Sequence, residues 1–246
     1  MLIDLLSLPE CPLISIIGAG GKTTTMYTLA REMAVRGQRV LTTTTTHIFF
    51  PAKGQTDALI IADKPSALLN TVRSIPDRYR RITAAARVTE AGKLAGLQPD
   101  QPYSLLAKTG VEAVIVEADG ARGRLIKAPA DHEPVIPPQS NVVLIVLSAA
   151  AINQPLSEAI AHRPERIAAM LDIALGDILT PERVARLLTS EQGSMKDIPE
   201  QAQIYALLTH AARETLENVQ LLNALLQAAP RLSGVLCSIE ADAWFI

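Results

Sequence analysis

Residues 13–25 read LISIIGAGGKTTT, and this segment decides how the rest of the chain is interpreted. An apolar run typical of a buried strand is followed by a glycine-rich turn, by Lys22 and by three threonines. Residues 26–36 then have the composition of a helix. A glycine turn lets backbone N–H groups converge on an anion, the helix N-terminus adds partial positive charge, and lysine adds a full charge. The segment therefore predicts a phosphate-binding loop.

The loop is shorter than the standard P-loop, which has a glycine five residues before the glycine of its Gly-Lys pair. Ile16 occupies that position here. The GAGGKTT sequence of residues 18–24 instead resembles the G-T-x-G-K-T-T loop of the Mur-type ligases. That resemblance implies that Lys22 contacts the β and γ phosphates and that the Thr23 hydroxyl binds Mg²⁺. The nucleotide-binding residues implied in the loop are Gly18, Ala19, Gly20, Gly21, Lys22, Thr23 and Thr24. The alternative is a glycine turn that only begins a helix.

Apolar runs alternate with helical patterns along the whole chain. We predict strands at residues 13–17, 39–43, 57–62, 81–86, 111–117, 141–147, 204–209 and 235–239. Helices are predicted at about residues 23–36, 64–75, 101–108, 162–175, 181–188 and 210–228. This alternation is typical of an α/β fold, here P-loop NTPase-like, with a mostly parallel β-sheet and helices on both faces. We expect a single domain over residues 1–246 with a helical insert around residues 153–196.

A carboxylate ends one of the most apolar predicted strands, in the sequence VIVEADGARGR. Glu117 is the last residue of that strand, and Asp119 follows it. Ligands of parallel sheets lie at the carboxyl ends of the strands, where P-loop proteins hold Mg²⁺ or orient an attacking water. We therefore predict Thr23 and Glu117 as Mg²⁺ ligands, and Lys22, Glu117 and Asp119 as catalytic residues. The alternative is that Asp119 only forms an Asp-Gly turn.

Three cations follow in the same loop. Arg122, Arg124 and Lys127 either form solvated ion pairs with nearby carboxylates, which stabilise little, or bind phosphate or an anionic substrate. The spacing of the following Asp-His-Glu sequence, residues 131–133, is not a convincing zinc-ligand spacing.

Five consecutive threonines, residues 42–46, end the second predicted strand. Their β-branching alone suits a strand. At a ligand-facing strand end, however, Thr45 and its neighbours could offer hydroxyls to phosphate or hydrated Mg²⁺. His47 is then a candidate proton donor, although a single histidine is more often structural.

The bulk composition bears on partners and on location. The net charge is −2 and only 3% of residues are aromatic, which argues against nucleic-acid and membrane partners. Cys11 and Cys237 lie in apolar surroundings, so we expect two buried thiols. No basic leader and no apolar run long enough for a membrane span is evident, which favours a cytoplasmic protein.

Taken together, GAGGKTT, LTTTTTHI, VIVEADGARGRLIKAP and DHEPVIP, in this order, resemble the YqeC-like proteins, which are described as accessory proteins of selenium-dependent molybdenum hydroxylases. The resemblance implies a P-loop protein that helps to insert selenium or to mature the molybdenum cofactor, with the hydroxylase or its maturation proteins as partners. Residues 208–212 (LTHAA) lack the N-K-x-D-like motif that would read guanine. The expected cofactors are therefore Mg²⁺ with either ATP or GTP.

Three functions remain open from the sequence. The first is an NTP-hydrolysing maturation factor. The second is a small Mur-like ligase or kinase, whose substrate would be held by Arg122, Arg124 and Lys127. The third is a non-catalytic carrier of a phosphorylated cofactor.

Overall fold

A computed structural model of the protein describes residues 1–212, 216–227, 229–239 and 242–245. The chain divides into two compact units. The first consists of Met1–Ile16, Thr23–Asp119 and Val135–Val142, and the second of Ile17–Lys22, Gly120–Pro134 and Val143–Ile246. Unit boundaries fall directly after the glycine loop, between Lys22 and Thr23, and inside two strands.

The first unit contains three helices and most of the parallel strands. In chain order its elements are a 3₁₀ turn (Leu2–Leu5), β1 (Leu13–Gly18, whose last two residues belong to the second unit), α1 (Lys22–Val35, whose first residue does), β2 (Val40–Thr44), β3 (His47–Ile48), β4 (Ala58–Ile61), α2 (Pro65–Ser74), β5 (Arg81–Ala85), β6 (Arg87–Val88), β7 (Leu94–Ala95), α3 (Gln101–Lys108) and β8 (Ala113–Glu117).

Five strands of this unit pair in the order β1-β8-β2-β5-β4, and every pairing is parallel. All side chains of β2 and β8 are buried. Both faces of such strands are covered, which is why β2 and β8 consist of Val, Ile, Leu, Ala and Thr apart from Glu117 at the end of β8. The register places Thr44 opposite Glu117, so the threonine run and the acidic strand end lie at the same edge of the sheet.

The second unit contains the other described elements. They are β9 (Ile126–Lys127), β10 (Val142–Ser148, whose first residue belongs to the first unit), a 3₁₀ turn (Ala149–Ala151), β11 (Ala161–His162), α4 (Pro164–Leu171), α5 (Pro181–Thr189), β12 (Gln203–Ala211), α6 (Leu216–Gln227), β13 (Leu232–Ile239) and β14 (Asp242–Phe245). The strand order is β10-β12-β13-β14, with β12 and β13 parallel and β14 antiparallel to β13. The α4 and α5 helices lie in the segment predicted as a helical insert.

Helix ends follow from local chemistry. Four helices have proline in their first turn, where the missing N–H costs no helical hydrogen bond. Thr180 caps α5, and its hydroxyl accepts from the N–H of Arg183. Gly37 follows α1 with a φ of +85° and donates its N–H to the Ala34 carbonyl, as glycine commonly does at the end of a helix.

The predicted class is confirmed: the fold is α/β, with a mostly parallel sheet of P-loop NTPase-like type. Some boundaries differ. The predicted helix from residue 210 is wrong at its start, because β12 continues to Ala211; residues 213–215 and 228 of that prediction lie outside the described residues. The helix predicted at residues 162–175 is shorter, since His162 belongs to β11 and α4 ends at Leu171.

The structure also bears on the two cysteines and on the expectation that no membrane span is present. Cys237 is buried as expected, whereas Cys11 is exposed, so that prediction was wrong. Among the described residues, no helix combines the length and the hydropathy that crossing a bilayer requires.

Candidate functional site

The glycine loop lies directly against the end of β10 within the second unit. Gly18, Gly20 and Gly21 have φ values of +96°, +74° and +128°, which side-chain-bearing residues rarely adopt. A Cβ atom on Gly18 would lie 2.1 Å from the Val146 carbonyl oxygen, and one on Gly20 would lie 2.6 Å from the Ser148 Cβ. These glycines are therefore required both by backbone conformation and by space.

Hydrogen bonds from two strands hold the loop in place. The N–H of Ala19 donates to the Val146 carbonyl at 2.8 Å. The hydroxyl of Thr209, near the end of β12, donates to the Gly20 carbonyl. A Cβ atom on Gly21 would lie 3.3 Å from the Thr209 methyl carbon, so this side chain occupies the space beside both glycines. The loop is a supported backbone structure and not merely a flexible turn.

Lys22 places its ammonium group inside the loop that precedes it. The side chain is 5% exposed, and its Nζ donates to the Gly18 carbonyl at 2.7 Å. Lys22 is also the first residue of α1. The lysine charge and the N-terminal end of a 14-residue helix are therefore both present at the loop.

The next residue, Thr23, belongs to the first unit and makes the contact expected of a metal-ligand pair. Its hydroxyl donates to Oε2 of Glu117 at 2.6 Å. Glu117 is buried and ends β8. Its backbone carbonyl accepts from the Thr44 hydroxyl at 2.7 Å and from the Thr45 N–H at 3.2 Å. The threonine run thus fixes the strand end that carries the carboxylate.

Each unit carries residues with part of the chemistry that a phosphate group and Mg²⁺ need. In the second unit the loop glycines carry no side chains and Lys22 supplies positive charge. In the first unit Thr23 and Glu117 supply two hard oxygen donors. Mg²⁺ is usually held by one or two carboxylates together with phosphate oxygens and waters, not by an all-protein cage. The described residues contain no group of three or more His, Cys, Asp or Glu side chains able to bind a metal ion.

The structure places the other predicted site residues at several positions. Asp119 is buried, two residues beyond Glu117. The Thr45 hydroxyl donates to the Val135 carbonyl at 2.7 Å. Thr24 is exposed on the first turn of α1, and His47 is exposed on β3. Two of these residues are therefore close to Glu117. Asp119 follows it by two residues, and Thr45 donates its N–H to the Glu117 carbonyl.

The three loop cations differ in environment. Arg122 is exposed and Arg124 is half-buried. Lys127 is buried, and its Nζ donates to the Gly120 carbonyl and to Oε2 of Glu133, each at 2.7 Å. Lys127 therefore has a structural ion pair, whereas the two arginines are accessible to a ligand.

Glu133 connects this loop to α4 through a second cation. Arg163 donates to both carboxylate oxygens of Glu133, at 2.8 and 3.2 Å. Burial alone would raise the pKa of Glu133, but the hydrogen bonds from Arg163 and Lys127 outweigh it and lower the pKa from 4.5 to about 2. The Lys196 ammonium donates to the carbonyls of residues 130, 131 and 133. The Asp-His-Glu sequence thus has a structural role that its spacing did not reveal.

Comparison with known proteins assigns the family. The family model described as YqeC protein matches residues 14–165, which is more than half of the chain. The Escherichia coli (strain K12) protein described as "Uncharacterized protein YqeC" is 30% identical over 200 residues, covering 81% of this chain and 76% of that relative. The chain belongs to the YqeC family. The resemblance predicted from the four motifs is confirmed.

The part matched by the YqeC family model includes the glycine loop, Glu117 and the loop up to Arg163. Two residues that support the glycine loop were not predicted from the sequence. Val146 acts through its backbone carbonyl, and Thr209 lies outside the matched range. Thr209 could have been found by applying the strand-end rule to β12 as it was applied to β8. Val146 contributes only its backbone carbonyl oxygen, which every residue type has, so the sequence could not indicate this role.

Proposed function

We propose that this YqeC-family protein binds a Mg²⁺–nucleoside triphosphate at the glycine loop and hydrolyses it. The observation that carries the proposal is the 2.6 Å hydrogen bond from Thr23 to Glu117, made by the residue that directly follows the loop lysine. A glycine turn that only began a helix would need neither Lys22 folded into the loop nor a hydroxyl–carboxylate pair after it.

Each residue has a role in this proposal. The N–H groups of Gly20 and Gly21 bind phosphate oxygens, and Lys22 exchanges its contact with the Gly18 carbonyl for the β and γ phosphates. The Thr23 hydroxyl and Glu117 hold Mg²⁺, which neutralises charge on the phosphates. Asp119 orients the attacking water. Since phosphoryl transfer needs little covalent chemistry from the protein, positioning and charge stabilisation account for catalysis.

The biological setting of the proposal rests on the family. By the resemblance of the motifs, the nucleotide-dependent step belongs to the maturation of selenium-dependent molybdenum hydroxylases or of their cofactor. Those enzymes or their maturation proteins would be the partners. The cytoplasmic location and the lack of nucleic-acid and membrane partners stay predictions.

A ligase or kinase is the second candidate, favoured by the accessibility of Arg122 and Arg124, which follow the acidic strand end in the chain. Arginine binds carboxylates and phosphates with a bidentate fork, so the pair suits an anionic second substrate. Lys127 no longer supports this reading, because Glu133 already neutralises it. Phosphate release without a second substrate would favour the hydrolase, and ADP formation only when an anionic acceptor is added would favour the ligase or kinase.

A thermal-shift panel tests the proposal. The four common ribonucleoside triphosphates are each added with and without Mg²⁺, and phosphate release is then measured for those that bind. Ligands that bind only the folded state raise the melting temperature by mass action. We expect ATP or GTP to raise it only with Mg²⁺ and to be hydrolysed. No shift with any triphosphate would refute the site, and binding without turnover would leave the carrier role.

A further inference from the structure

Thr209 and His210 form a polar pair at the carboxyl end of β12, beside the glycine loop and within the same unit. The Thr209 hydroxyl lies within hydrogen-bonding distance of three groups: the Gly20 carbonyl, the Leu147 carbonyl at 3.3 Å and Nδ1 of His210 at 3.0 Å. The histidine that follows this threonine is exposed. The Thr209 hydroxyl therefore connects the accessible imidazole of His210 to the backbone of Gly20 by hydrogen bonds.

The hydrogen bonds determine which nitrogen of the neutral imidazole carries the proton. A hydroxyl has a single proton to donate, and both carbonyl oxygens are acceptors only. The Thr209 proton is therefore directed at the carbonyls, mainly that of Gly20, and the hydroxyl oxygen accepts from Nδ1–H of His210. With the proton on Nδ1, the Nε2 atom is an unprotonated acceptor. The ring presents a hydrogen-bond acceptor on the side away from Thr209.

The backbone also marks this position. His210 has a φ of +51°, a conformation that is unfavourable for a residue other than glycine. The register of β12 and β13 shifts between Leu208 and Ala211, and irregularities of this kind in a strand redirect side chains. Backbone strain of this kind is most often found at ligand-binding and active sites, where the surrounding structure holds it in place.

We propose that His210 contacts the nucleobase, and that its Nε2 accepts a hydrogen bond from an amino group on a purine. The inference rests on the proposed nucleotide site, because the phosphates would lie at Gly20 and Gly21. The Thr209 hydroxyl donates to the Gly20 carbonyl, and its methyl carbon lies 3.3 Å from where a Cβ atom on Gly21 would be. Strand ends are where ligands of such sheets bind. Within residues 208–212 (LTHAA), the threonine hydroxyl is committed to the loop. The imidazole is the remaining side chain there with a hydrogen-bonding atom.

Pairs of triphosphates that differ by one amino group test this. Purine riboside triphosphate lacks the 6-amino group of ATP, and ITP lacks the 2-amino group of GTP. Affinities are measured by calorimetry with Mg²⁺ at pH 8 for the wild type and for His210→Phe, which keeps an aromatic ring without an acceptor. His210→Gln retains an acceptor oxygen, and exposed His132→Phe is the matched control. Melting temperatures without nucleotide report any effect on folding.

We expect the wild type and His132→Phe to prefer the amino-bearing member of at least one pair by about 3- to 10-fold, the value of one hydrogen bond. His210→Phe should bind both members equally, and His210→Gln should keep part of the preference. A preference that survives in His210→Phe, or its absence from the wild type, would overturn the proposal while leaving the nucleotide site intact. Failure of the wild type to bind any triphosphate would refute both.

Discussion

The hydroxyl of Thr23 and the carboxylate of Glu117 lie 2.6 Å apart, although 94 residues separate them in the chain. Thr23 is the second residue of α1, directly after the glycine loop, and Glu117 is the last residue of β8. Because Glu117 is buried and its carbonyl is held by Thr44, the pair is fixed before any ligand arrives. Two oxygen donors positioned in advance are what a Mg²⁺ site beside a triphosphate requires.

Replacing the carboxylate should weaken the binding of Mg²⁺ at the nucleotide site. Glu117→Gln keeps the size of the side chain and a hydrogen-bond acceptor for Thr23 but loses the charge. We expect the apparent Mg²⁺ affinity, measured by titration at saturating nucleotide, to fall at least about 10-fold. Exposed Glu90→Gln is the control and should match the wild type. Unchanged Mg²⁺ affinity in Glu117→Gln would exclude this carboxylate from the metal site.

The glycine loop should not tolerate a methyl group at its first position. In Gly18→Ala the new Cβ atom meets the Val146 carbonyl oxygen at 2.1 Å, so the loop or β10 must move. We expect a loss of more than about 3 kcal/mol in the free energy of unfolding. Gly92→Ala is the control that measures the cost of the backbone conformation without a steric clash. Gly92 also has a positive φ, but nothing lies within 4 Å of its Cβ position.

Gly92→Ala should therefore cost only about 1–2 kcal/mol. Urea denaturation of the two variants gives the comparison. Equal losses would mean that the contact between the loop and β10 is not as close as described.

The buried network around Glu133 should make stability depend on acid pH. The pKa of Glu133 is about 2 in the folded protein against an ordinary 4.5, so the ionised group stabilises the fold above about pH 4.5. This stabilisation is lost as the pH falls from about 4.5 to about 2, because the unfolded chain takes up the proton first. We expect Glu133→Gln to be less stable than the wild type at pH 7.

The difference in unfolding free energy between wild type and Glu133→Gln should shrink steadily across that acidic window. Exposed Glu158→Gln gives the matched comparison and should show little difference from the wild type. A difference for Glu133→Gln that stays constant between pH 4.5 and pH 2 would show that the ion pairs with Lys127 and Arg163 do not set this pKa.

The two cysteines should react at very different rates. Cys11 is exposed, whereas Cys237 is completely buried and burial raises its pKa to about 11. Since the thiolate is the reactive form, a thiol reagent at pH 8 should label one equivalent rapidly. Cys11→Ser should abolish the rapid phase, and the second equivalent should appear only on unfolding. Two rapid equivalents in the native wild type would contradict the burial of Cys237.

Local features of the fold were predictable because their signals lie close together in sequence. The apolar runs that end at Gly18 and Glu117, and the Lys-Thr pair, define β1, β8 and α1 within one or two residues. The helix at Gln101–Lys108 was predicted with its observed bounds. In contrast, β3, β6 and β7 have two residues each, which is too short for any periodicity.

Features set by distant residues could not be predicted in the same way. Glu133 receives its second cation from Arg163, 30 residues away, and no spacing rule connects them. Thr209 lies 189 residues from Gly20. The helix start predicted at His210 was wrong because β12 continues to Ala211, past a shift in its register with β13. The exposure of Cys11 depends on how the chain enters β1, which apolar neighbours alone do not determine.

Calorimetric titration of wild type and Lys22→Ala with Mg²⁺–ATP and Mg²⁺–GTP tests the central claim most directly. Lys22 brings the full positive charge to the loop, so the account predicts that the wild type binds at least one of the two and that Lys22→Ala binds neither. Exposed Lys108→Ala serves as the control and should bind like the wild type. Equal affinity in the wild type and Lys22→Ala would contradict a triphosphate site at the glycine loop.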